Sequence, residues 1–508
     1  MRAVDADAGV VKVCQADGAT AWMRLEDFAF ASPRPPSHTG TPRAEVTKLG
    51  GSHGRGLVLR GGDAARGDLV FEDTAAGAVV ATAHWGRVCH CCYRRVAPKP
   101  TRCDDCGAAY CNAACRDAHA AAAHDNMCAR VGMLREVAAQ LPFAVDVDAA
   151  HLTLALSLSR RPRGGGQGMD ALKPMLAHRA AVGAEAWRAA LALGSVLRGI
   201  AADDAAPRPA AVTEDEALAE AYLKVRFNAQ PFGAAGDISD DAGAPGLAIF
   251  SRGYAVNHAC APKVVASTSI EQTPAGPRPR LELRAAVPVL CSGDEVTMSY
   301  IADLMTTVEE RRRLLRDAFA FTCDCARCAA EAAAPVTPDE AAFEAHVRSA
   351  AAQRDTTALL RLAVAWRGKP SPTPNFTPNP GRARRLSACH DAASQALLLT
   401  TATGGNAALK AEALAALLGC LRAGAALWPS RRAVALLLSL DAAGCDESSA
   451  WFLPNMVCAG SGGGPAPNPN PKSHANPNPC LTVAGYSMAA TCLGEAHPVT
   501  RRWRLGLG

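Results

Sequence analysis

The sequence lacks several features that particular classes of protein require. Nowhere in its 508 residues is there an apolar run long enough to span a bilayer. Its N-terminus, MRAVDADAGVVKVCQADG, carries acidic residues where a signal peptide would carry an apolar core. The 53 basic and 48 acidic side chains leave a net charge of +5, too small an excess to indicate a nucleic acid or membrane partner. We therefore expect a soluble protein of the cytoplasm, the nucleus or both.

Cysteine, by contrast, is abundant and clustered. Twenty cysteines in a reducing compartment would be poor disulfide formers, so their clustering favours metal binding. One block pairs its ligands at gaps of two or three residues: Cys89, Cys92, Cys103, Cys106, Cys111, Cys115, His124 and Cys128. A two-residue gap lets a tight turn present two thiolates to one ion, and His124 and Cys128 would share one face of a helical turn. Eight ligands match two tetrahedral zinc ions. Cys91 stays unassigned, and His119 is predicted to lie on a helix surface.

A second cysteine group, FTCDCARC, supplies Cys323, Cys325 and Cys328. Three thiolates leave a tetrahedral zinc ion one ligand short, and Cys260 in YAVNHACAPK is the candidate fourth. A third zinc ion would then hold 323–328 against the Asn-His segment. The sequence shows no single Cys-Cys and His-His pattern with a basic reading helix, so direct binding to nucleic acid is disfavoured.

Hydrophobic patterning divides the rest of the chain into regions of strands and regions of helices. Short runs such as GLAIF, KVVAST, RLELRAAV and EVTMSYI predict strands, with Tyr300 on the last of them beside Val296 and Met298 on one face. The predicted regions are a flexible lead-in at 1–45, strands at 46–88, the cysteine block at 89–128, helices at 129–225, strands at 226–305, the second cysteine region at 306–330, a helical region at 331–455 interrupted by a Pro-Asn-rich loop at 370–381, and a low-complexity tail at 456–508.

The motifs together resemble a known family. AYCNAAC and HDNMC resemble the end of a MYND finger, whereas NHACAP, GDEVTMSYI and FTCDCARC resemble the Asn-His-x-Cys, Gly-Glu-Glu…Tyr and post-SET signatures of SET-domain lysine methyltransferases. From about 46 to 330 the chain looks like the SET and MYND domain protein methyltransferases. The resemblance implies an α+β fold: a split SET β-fold of small sheets with a pseudoknot, an inserted MYND zinc finger, a helical insert, a post-SET zinc site and an α-helical C-terminal region. The SET fold would comprise 46–88 and 226–305.

The resemblance also implies roles for particular residues. One zinc ion would take Cys89, Cys92, Cys111 and Cys115, and the other Cys103, Cys106, His124 and Cys128. S-adenosylmethionine would be bound by Gly54, Arg55, Gly56, Asn228, Asn257, His258 and Phe321. Tyr300 matches the catalytic tyrosine, Phe321 would line the lysine channel or stack near the adenine, and Phe319 stands where relatives often carry a second tyrosine.

Two functions remain open from the sequence. The first is an S-adenosylmethionine-dependent protein-lysine N-methyltransferase that acts on histone or non-histone lysines by in-line methyl transfer. The second is a catalytically weak or inactive SET scaffold whose MYND finger recruits proline-rich protein partners, which the phenylalanine at 319 and the lysine at 263 favour. In either case we expect a monomer.

Overall fold

The computed structural model describes residues 3–5, 10–14, 20–24, 43–50, 54–120, 124–159, 168–202, 214–233, 245–273, 276–301, 304–364, 380–402 and short helical stretches between 408 and 420. The tail at 456–508 and all but the end of the loop at 370–381 lie outside the described residues.

The N-terminal region differs from the flexible lead-in that its sequence predicts. Strands β1 (Ala3–Asp5), β2 (Val10–Cys14) and β3 (Thr20–Arg24) form a three-stranded antiparallel sheet in that order. The runs VVKVC and TAWMR contain β-branched or aromatic residues that suit strands. The sequence predicts a flexible segment here because the proline-rich stretch that follows these strands is typical of a loop.

The other strands lie on both sides of the helical region, and two short ones lie inside the cysteine block. They are β4 (Arg43–Lys48), β5 (Arg55–Arg60), β6 (Ala64–Ala65), β7 (Leu69–Val80), β8 (Thr101–Arg102), β9 (Ala109–Tyr110), β10 (Gln230–Phe232), β11 (Gly246–Phe250), β12 (Asn257–His258), β13 (Val264–Thr273), β14 (Gly276–Ala285), β15 (Val289–Leu290) and β16 (Glu295–Met298).

Among the described residues, strands from the two halves of the chain combine in three sheets: the short pair β6-β15 and two larger sheets. One sheet has the order β10-β11-β7-β14-β13 and is antiparallel throughout, so the early strand β7 lies between two late ones. The other has the order β12-β16-β5-β4, and β12 runs parallel to β16. Apolar side chains from both sheets share one core, which includes Leu57, Leu59, Phe71, Phe250 and Leu283.

Helices lie in the two regions for which the sequence predicts them and also in both cysteine regions. They are α1 (Ala113–His119), α2 (Asp125–Ala138), α3 (Val147–Leu158), α4 (Arg179–Ala201), α5 (Asp215–Asn228), α6 (Val308–Phe319), α7 (Ala326–Ala333), α8 (Pro338–Ala352), α9 (Thr356–Val364) and α10 (Pro380–Ala402). α2 to α5 form a second core with β7 and β11. The mixed architecture is α+β.

Helix α4 is long and apolar enough to cross a bilayer by length and composition alone, although the sequence predicts no such span. Its buried face, which includes Leu193, Leu197 and Ile200, belongs to the core of the helical region. Gly194 on the same helix lies against the backbone at Asp215, where a Cβ atom would overlap the start of α5. The backbones of α4 and α5 therefore pack closely at this point, although only 22% of the apolar stretch of α4 is buried.

Candidate functional site

Two groups of metal-binding side chains lie side by side in the cysteine block. The first contains Cys89, Cys92, Cys111 and Cys115, and the second contains Cys103, Cys106, His124 and Cys128. The β8–β9 hairpin and the start of α1 bring these ligands together, and the Asn112 side chain fixes that start by accepting a hydrogen bond of 2.9 Å from the backbone N–H of Cys115. The two ligand sets are those that the interleaved pairing predicts.

The spacing within both groups suits zinc. In the first, the Sγ atoms of Cys92 and Cys111 are 3.6 Å apart. In the second, Cys103 Sγ lies 3.4 Å from Cys128 Sγ, and Cys106 Sγ lies 3.7 Å from His124 Nε2. Four thiolates about 2.3 Å from a tetrahedral zinc ion would have sulfur atoms about 3.8 Å apart. The donor sets and their separations therefore fit two zinc ions.

His119 and Cys91 belong to neither ligand group. The sequence predicts a helix-surface residue at His119, but its ring is half-buried and its Nδ1 lies 3.1 Å from the hydroxyl of the buried Tyr110. Burial lowers the pKa of His119 to about 4, so the ring is neutral at physiological pH. The correction has a simple cause: α1 packs this histidine onto β9, which local sequence spacing does not reveal.

The third group joins Cys260 to Cys323, Cys325 and Cys328. Cys260 Sγ lies 3.4 Å from Cys328 Sγ and 3.9 Å from Cys323 Sγ, and the backbone N–H of Cys260 points at Cys325 Sγ at 3.4 Å. Three of the four cysteines are buried. The group fits a third, closed tetrahedral zinc ion, so the three Cys/His clusters are compatible with three zinc sites.

The candidate active site adjoins this third cluster. The Tyr300 hydroxyl donates a hydrogen bond of 2.6 Å to the carbonyl of Val256, and its backbone N–H donates one of 3.0 Å to His258 Nδ1. The other ring nitrogen of His258 lies 3.2 Å from Cys260 Sγ. Burial lowers the pKa of His258 to about 4 and raises the pKa of Tyr300. The ring of His258 thus links Tyr300 to the zinc cluster.

Tyr300 lies two residues beyond the strand on which the sequence places it. Strand β16 ends at Met298, and its pairing with β12 sets Asn257 opposite Thr297 and His258 opposite Met298. Alternation along the strand therefore does not determine where Tyr300 points. Its ring instead faces Phe319, with ring centroids 5.0 Å apart, and Phe321, with centroids 6.2 Å apart.

Among the residues predicted to bind a cofactor, Arg55 and Gly56 lie against Asn257. Its side-chain N–H group donates to the carbonyl of Arg55 at 3.0 Å and to Glu295 Oε1 at 2.8 Å. A Cβ atom at Gly56 would lie 2.4 Å from Leu49 Cδ1, 3.0 Å from Glu295 Oε1 and 3.1 Å from the same nitrogen, so these side chains would have to shift to admit a larger residue. Gly54 has a positive φ of 64°. These contacts leave the side-chain oxygen of Asn257 as an acceptor for a ligand.

Asn228 and Arg55 both hold one loop. Asn228 ends α5 and donates to the carbonyls of Lys224 at 2.8 Å and Leu176 at 3.1 Å. Arg55 donates to the carbonyl of Pro174 at 3.4 Å and to the hydroxyl of Tyr254 at 3.2 Å. The loop 174–176 therefore connects the predicted site residues on β5 and α5.

Sequence reasoning missed two acidic side chains that shape this site. Glu295 holds Asn257, as described above, whereas its GDEV motif predicted a strand and a family resemblance but no role for this carboxylate. Asp73 is buried on β7, and its Oδ2 accepts hydrogen bonds from the backbone N–H groups of Arg252 at 2.7 Å and Gly253 at 2.9 Å. These bonds fix the 3-10 turn Gly253–Ala255 that leads into Val256. No sequence signal links Asp73 to a turn so far along the chain.

Comparison with known proteins gives partial matches and no matching family model. The chain is 50% identical over 50 residues to the Mus musculus protein "Histone-lysine N-methyltransferase SMYD3", which is 10% of this chain and 11% of that protein. It is 40% identical over 83 residues to "N-lysine methyltransferase SMYD2-A" of Xenopus laevis and 41% identical over 83 residues to "N-lysine methyltransferase SMYD2" of Rattus norvegicus, in each case 16% of this chain and 17% of the relative. The matched stretches span less than a fifth of these relatives' own length. Over short segments the chain is similar to lysine methyltransferases of the SMYD group.

Proposed function

We propose that the chain is an S-adenosylmethionine-dependent protein-lysine N-methyltransferase with a split SET fold and a MYND zinc finger. The observation that carries this proposal is the group formed by Tyr300, His258 and Asn257 next to a four-cysteine cluster. The partial similarity to proteins named as lysine methyltransferases supports it. Under this proposal 46–88 and 226–305 form the SET fold, 89–128 the MYND finger and 306–330 the post-SET segment.

Tyr300 is the proposed catalytic residue because of how its hydroxyl is held. The hydroxyl hydrogen points at the Val256 carbonyl, so the phenol oxygen presents its lone pairs to an incoming amine. Burial raises the pKa of Tyr300, so the phenol stays neutral and orients the amine without acting as a base at neutral pH. Its role is therefore positioning of the nucleophile.

The aromatic neighbours of Tyr300 would help the lysine amine lose its proton. A lysine amine has an ordinary pKa of about 10.4, and only the neutral form is a nucleophile. Phe319 and Phe321 pack beside Tyr300, so an amine entering here would be desolvated and its pKa lowered. Because Phe319 has no hydroxyl, it supplies this apolar wall without a further polar anchor.

S-adenosylmethionine, when bound, supplies a methyl group on a positively charged sulfur. The residues that would hold it are Gly54, Arg55, Gly56, Asn228, Asn257, His258 and Phe321. The donor chemistry fits, because the Asn257 side-chain oxygen can accept a hydrogen bond from an amino group while its nitrogen is held by Arg55 and Glu295.

The test is S-adenosylmethionine binding by calorimetry on the full, zinc-replete chain. We expect a dissociation constant in the micromolar range, about 8 kcal/mol of binding free energy, that is lost in Asn257→Ala. Tyr300→Phe should keep this binding but lower methyl transfer to histones or lysine peptides about 100-fold, because it removes the group that orients the amine. Tyr222→Phe is the matched control, since it removes a hydroxyl that contacts Asp146 in the helical region.

The alternative is an inactive scaffold. A folded wild-type chain that binds three zinc ions but no S-adenosylmethionine would overturn the enzyme proposal and leave a MYND-bearing protein that recruits proline-rich peptides. The same proposal includes a protein substrate, a monomeric chain, and a location in the cytoplasm, the nucleus or both.

A further inference from the structure

A fully buried ionic triad lies beside the third cysteine cluster. Arg311 on α6 donates to one carboxylate oxygen of Glu331 on α7, and Arg327, also on α7, donates to the other, both at 2.6 Å. The side chains of Arg311, Arg327 and Glu331 are 0%, 4% and 4% exposed. Charged side chains are almost never buried this far unless something nearby compensates them.

The triad contacts both parts of the chain that form the cluster. Arg311 Nη2 lies 3.7 Å from Cys328 Sγ, and Arg327 Nη1 donates a hydrogen bond of 2.8 Å to the backbone carbonyl of Cys260. The neighbouring Arg312 adds a third contact, from its Nε to the carbonyl of Cys323 at 3.0 Å. Arg311 and Arg312 thus contact cysteines of 323–328, and Arg327 contacts Cys260, which follows Asn257 and His258.

The charges of the triad and of a zinc-loaded cluster oppose each other. Two arginines and one glutamate leave one net positive charge in the interior, which is costly by itself. Four thiolates around one Zn²⁺ leave two net negative charges beside it.

We propose that Arg311, Arg327 and Glu331 are positioning residues that close the third zinc site around Cys260 and thereby hold the Asn257–Tyr300 segment. The inference rests on the zinc centre within the proposed function, and not on methyl transfer itself. The link to the active site is short, because His258 lies against Cys260 Sγ through one ring nitrogen and accepts the Tyr300 N–H through the other.

The C-terminal helices reach the same triad through its backbone. Arg384 on α10 donates to the carbonyls of Glu331 at 3.1 Å and Ala334 at 3.2 Å, and so satisfies the carbonyl groups at the end of α7. The Nη2 atom of Arg384 lies 3.2 Å from Glu340 Oε2. The helical region therefore stabilises the helix that carries two members of the triad.

The experiment measures zinc release from the full chain with a colorimetric chelator, so the two zinc ions of the MYND finger serve as an internal reference. We expect three ions in the wild type. In Arg311→Gln, one of the three should bind roughly 10- to 100-fold more weakly while the other two are unchanged, as is usual when a group that holds metal ligands is removed. Arg313→Gln is the matched control from the same run of three arginines: its side chain is 53% exposed and contacts Glu310 and Asp317.

A second variant keeps the test decisive if Arg311→Gln does not fold. Arg327→Lys keeps the buried charge but replaces the planar guanidinium by a single ammonium group. The guanidinium contacts Glu331 and Cys260 at the same time, and the ammonium cannot, so the variant should bind the third zinc ion more weakly. If excess zinc restores S-adenosylmethionine binding in either variant, the third zinc ion is coupled to the position of Asn257. The proposal is overturned if folded Arg327→Lys releases all three ions as the wild type does, if Arg313→Gln loosens the third ion equally, or if the wild type binds two ions. Each zinc result is independent of whether methyl transfer occurs.

Discussion

The buried carboxylate of Asp73 offers the sharpest test of how the active-site segment is held. Both of its backbone hydrogen bonds, from Arg252 and Gly253, go to the same oxygen, Oδ2. Asp73→Ala leaves both N–H groups without this acceptor. Because a hydrogen bond to a charged group contributes roughly 1.5–3 kcal/mol, we expect the free energy of unfolding to fall by about 3 to 5 kcal/mol.

The matching substitution Asp73→Asn separates the hydrogen bonds from the charge. The asparagine oxygen can accept both N–H groups, so the variant loses only the charge of the acceptor, including its pairing with Arg252 Nε, which lies 3.5 Å from Asp73 Oδ1. We therefore expect Asp73→Asn to cost about 1 to 2 kcal/mol. Glu72→Gln is the control, because this neighbour is 53% exposed and its pairing with Arg280 should contribute no more than about 1 kcal/mol.

The assay is urea unfolding of the zinc-replete full chain followed by far-ultraviolet circular dichroism, with S-adenosylmethionine binding measured on the same samples. The Ala variant should also bind more weakly, because the turn Gly253–Ala255 positions Val256 and Asn257. If Asp73→Asn loses as much stability as Asp73→Ala, the two hydrogen bonds are not the stabilising contacts. If Asp73→Ala loses less than about 1 kcal/mol, the turn is held by something else.

Two further predictions concern close packing and pH. Gly56→Ala should weaken S-adenosylmethionine binding in calorimetry and cost about 1 to 3 kcal/mol in urea unfolding, because its methyl group would overlap Leu49 and press on Asn257 and Glu295. Gly132→Ala, which has open space on α2, should be neutral or stabilising. Burial lowers the pKa of His151 from 6.5 in the unfolded chain to about 4 in the folded chain. Below pH 6.5 the unfolded chain therefore binds a proton that the folded chain does not, and the free energy of unfolding falls as the pH is lowered towards 4. His151→Leu should reduce this loss by about 3 kcal/mol when unfolding is measured from pH 7 to 4, and an unchanged pH dependence would contradict the assignment.

Most side chains of the three groups that could hold zinc were predictable from the sequence, because their spacing is local. Cysteine and histidine ligands with two or three residues between them can face one ion whatever the rest of the fold does. The three cysteines of 323–328 leave a tetrahedral ion one ligand short, which predicts a fourth thiolate. Cys260 was found by this count of ligands, although it lies 63 residues before Cys323. The regions of strand and helix were likewise predictable from their hydrophobic patterns.

The supporting contacts could not be predicted, because they join residues far apart in the chain. Asp73 and Gly253 are 180 residues apart, and Arg327 and Cys260 are 67 apart. Nothing in the local sequence distinguishes Asp73 or Arg311 from a solvent-exposed charge. Tyr300 shows the same limit at short range, because alternation assigned it to a strand that ends two residues earlier.

The five residues from Val256 to Cys260 explain why these distant contacts are needed. Strand β12 has only two residues, and a few backbone hydrogen bonds of about 1 kcal/mol each cannot fix a side chain within a fraction of an ångström. Each residue of the segment has an anchor of its own: the Tyr300 hydroxyl at Val256, Glu295 at Asn257, the Tyr300 N–H at His258, the Met298 carbonyl at Ala259, and the cysteine cluster at Cys260. Asp73 fixes the turn before the segment and Arg327 holds the carbonyl at its end. A zinc ion held by Cys260 would add a further restraint at the last position, because it would anchor the segment to the elements that carry 323–328.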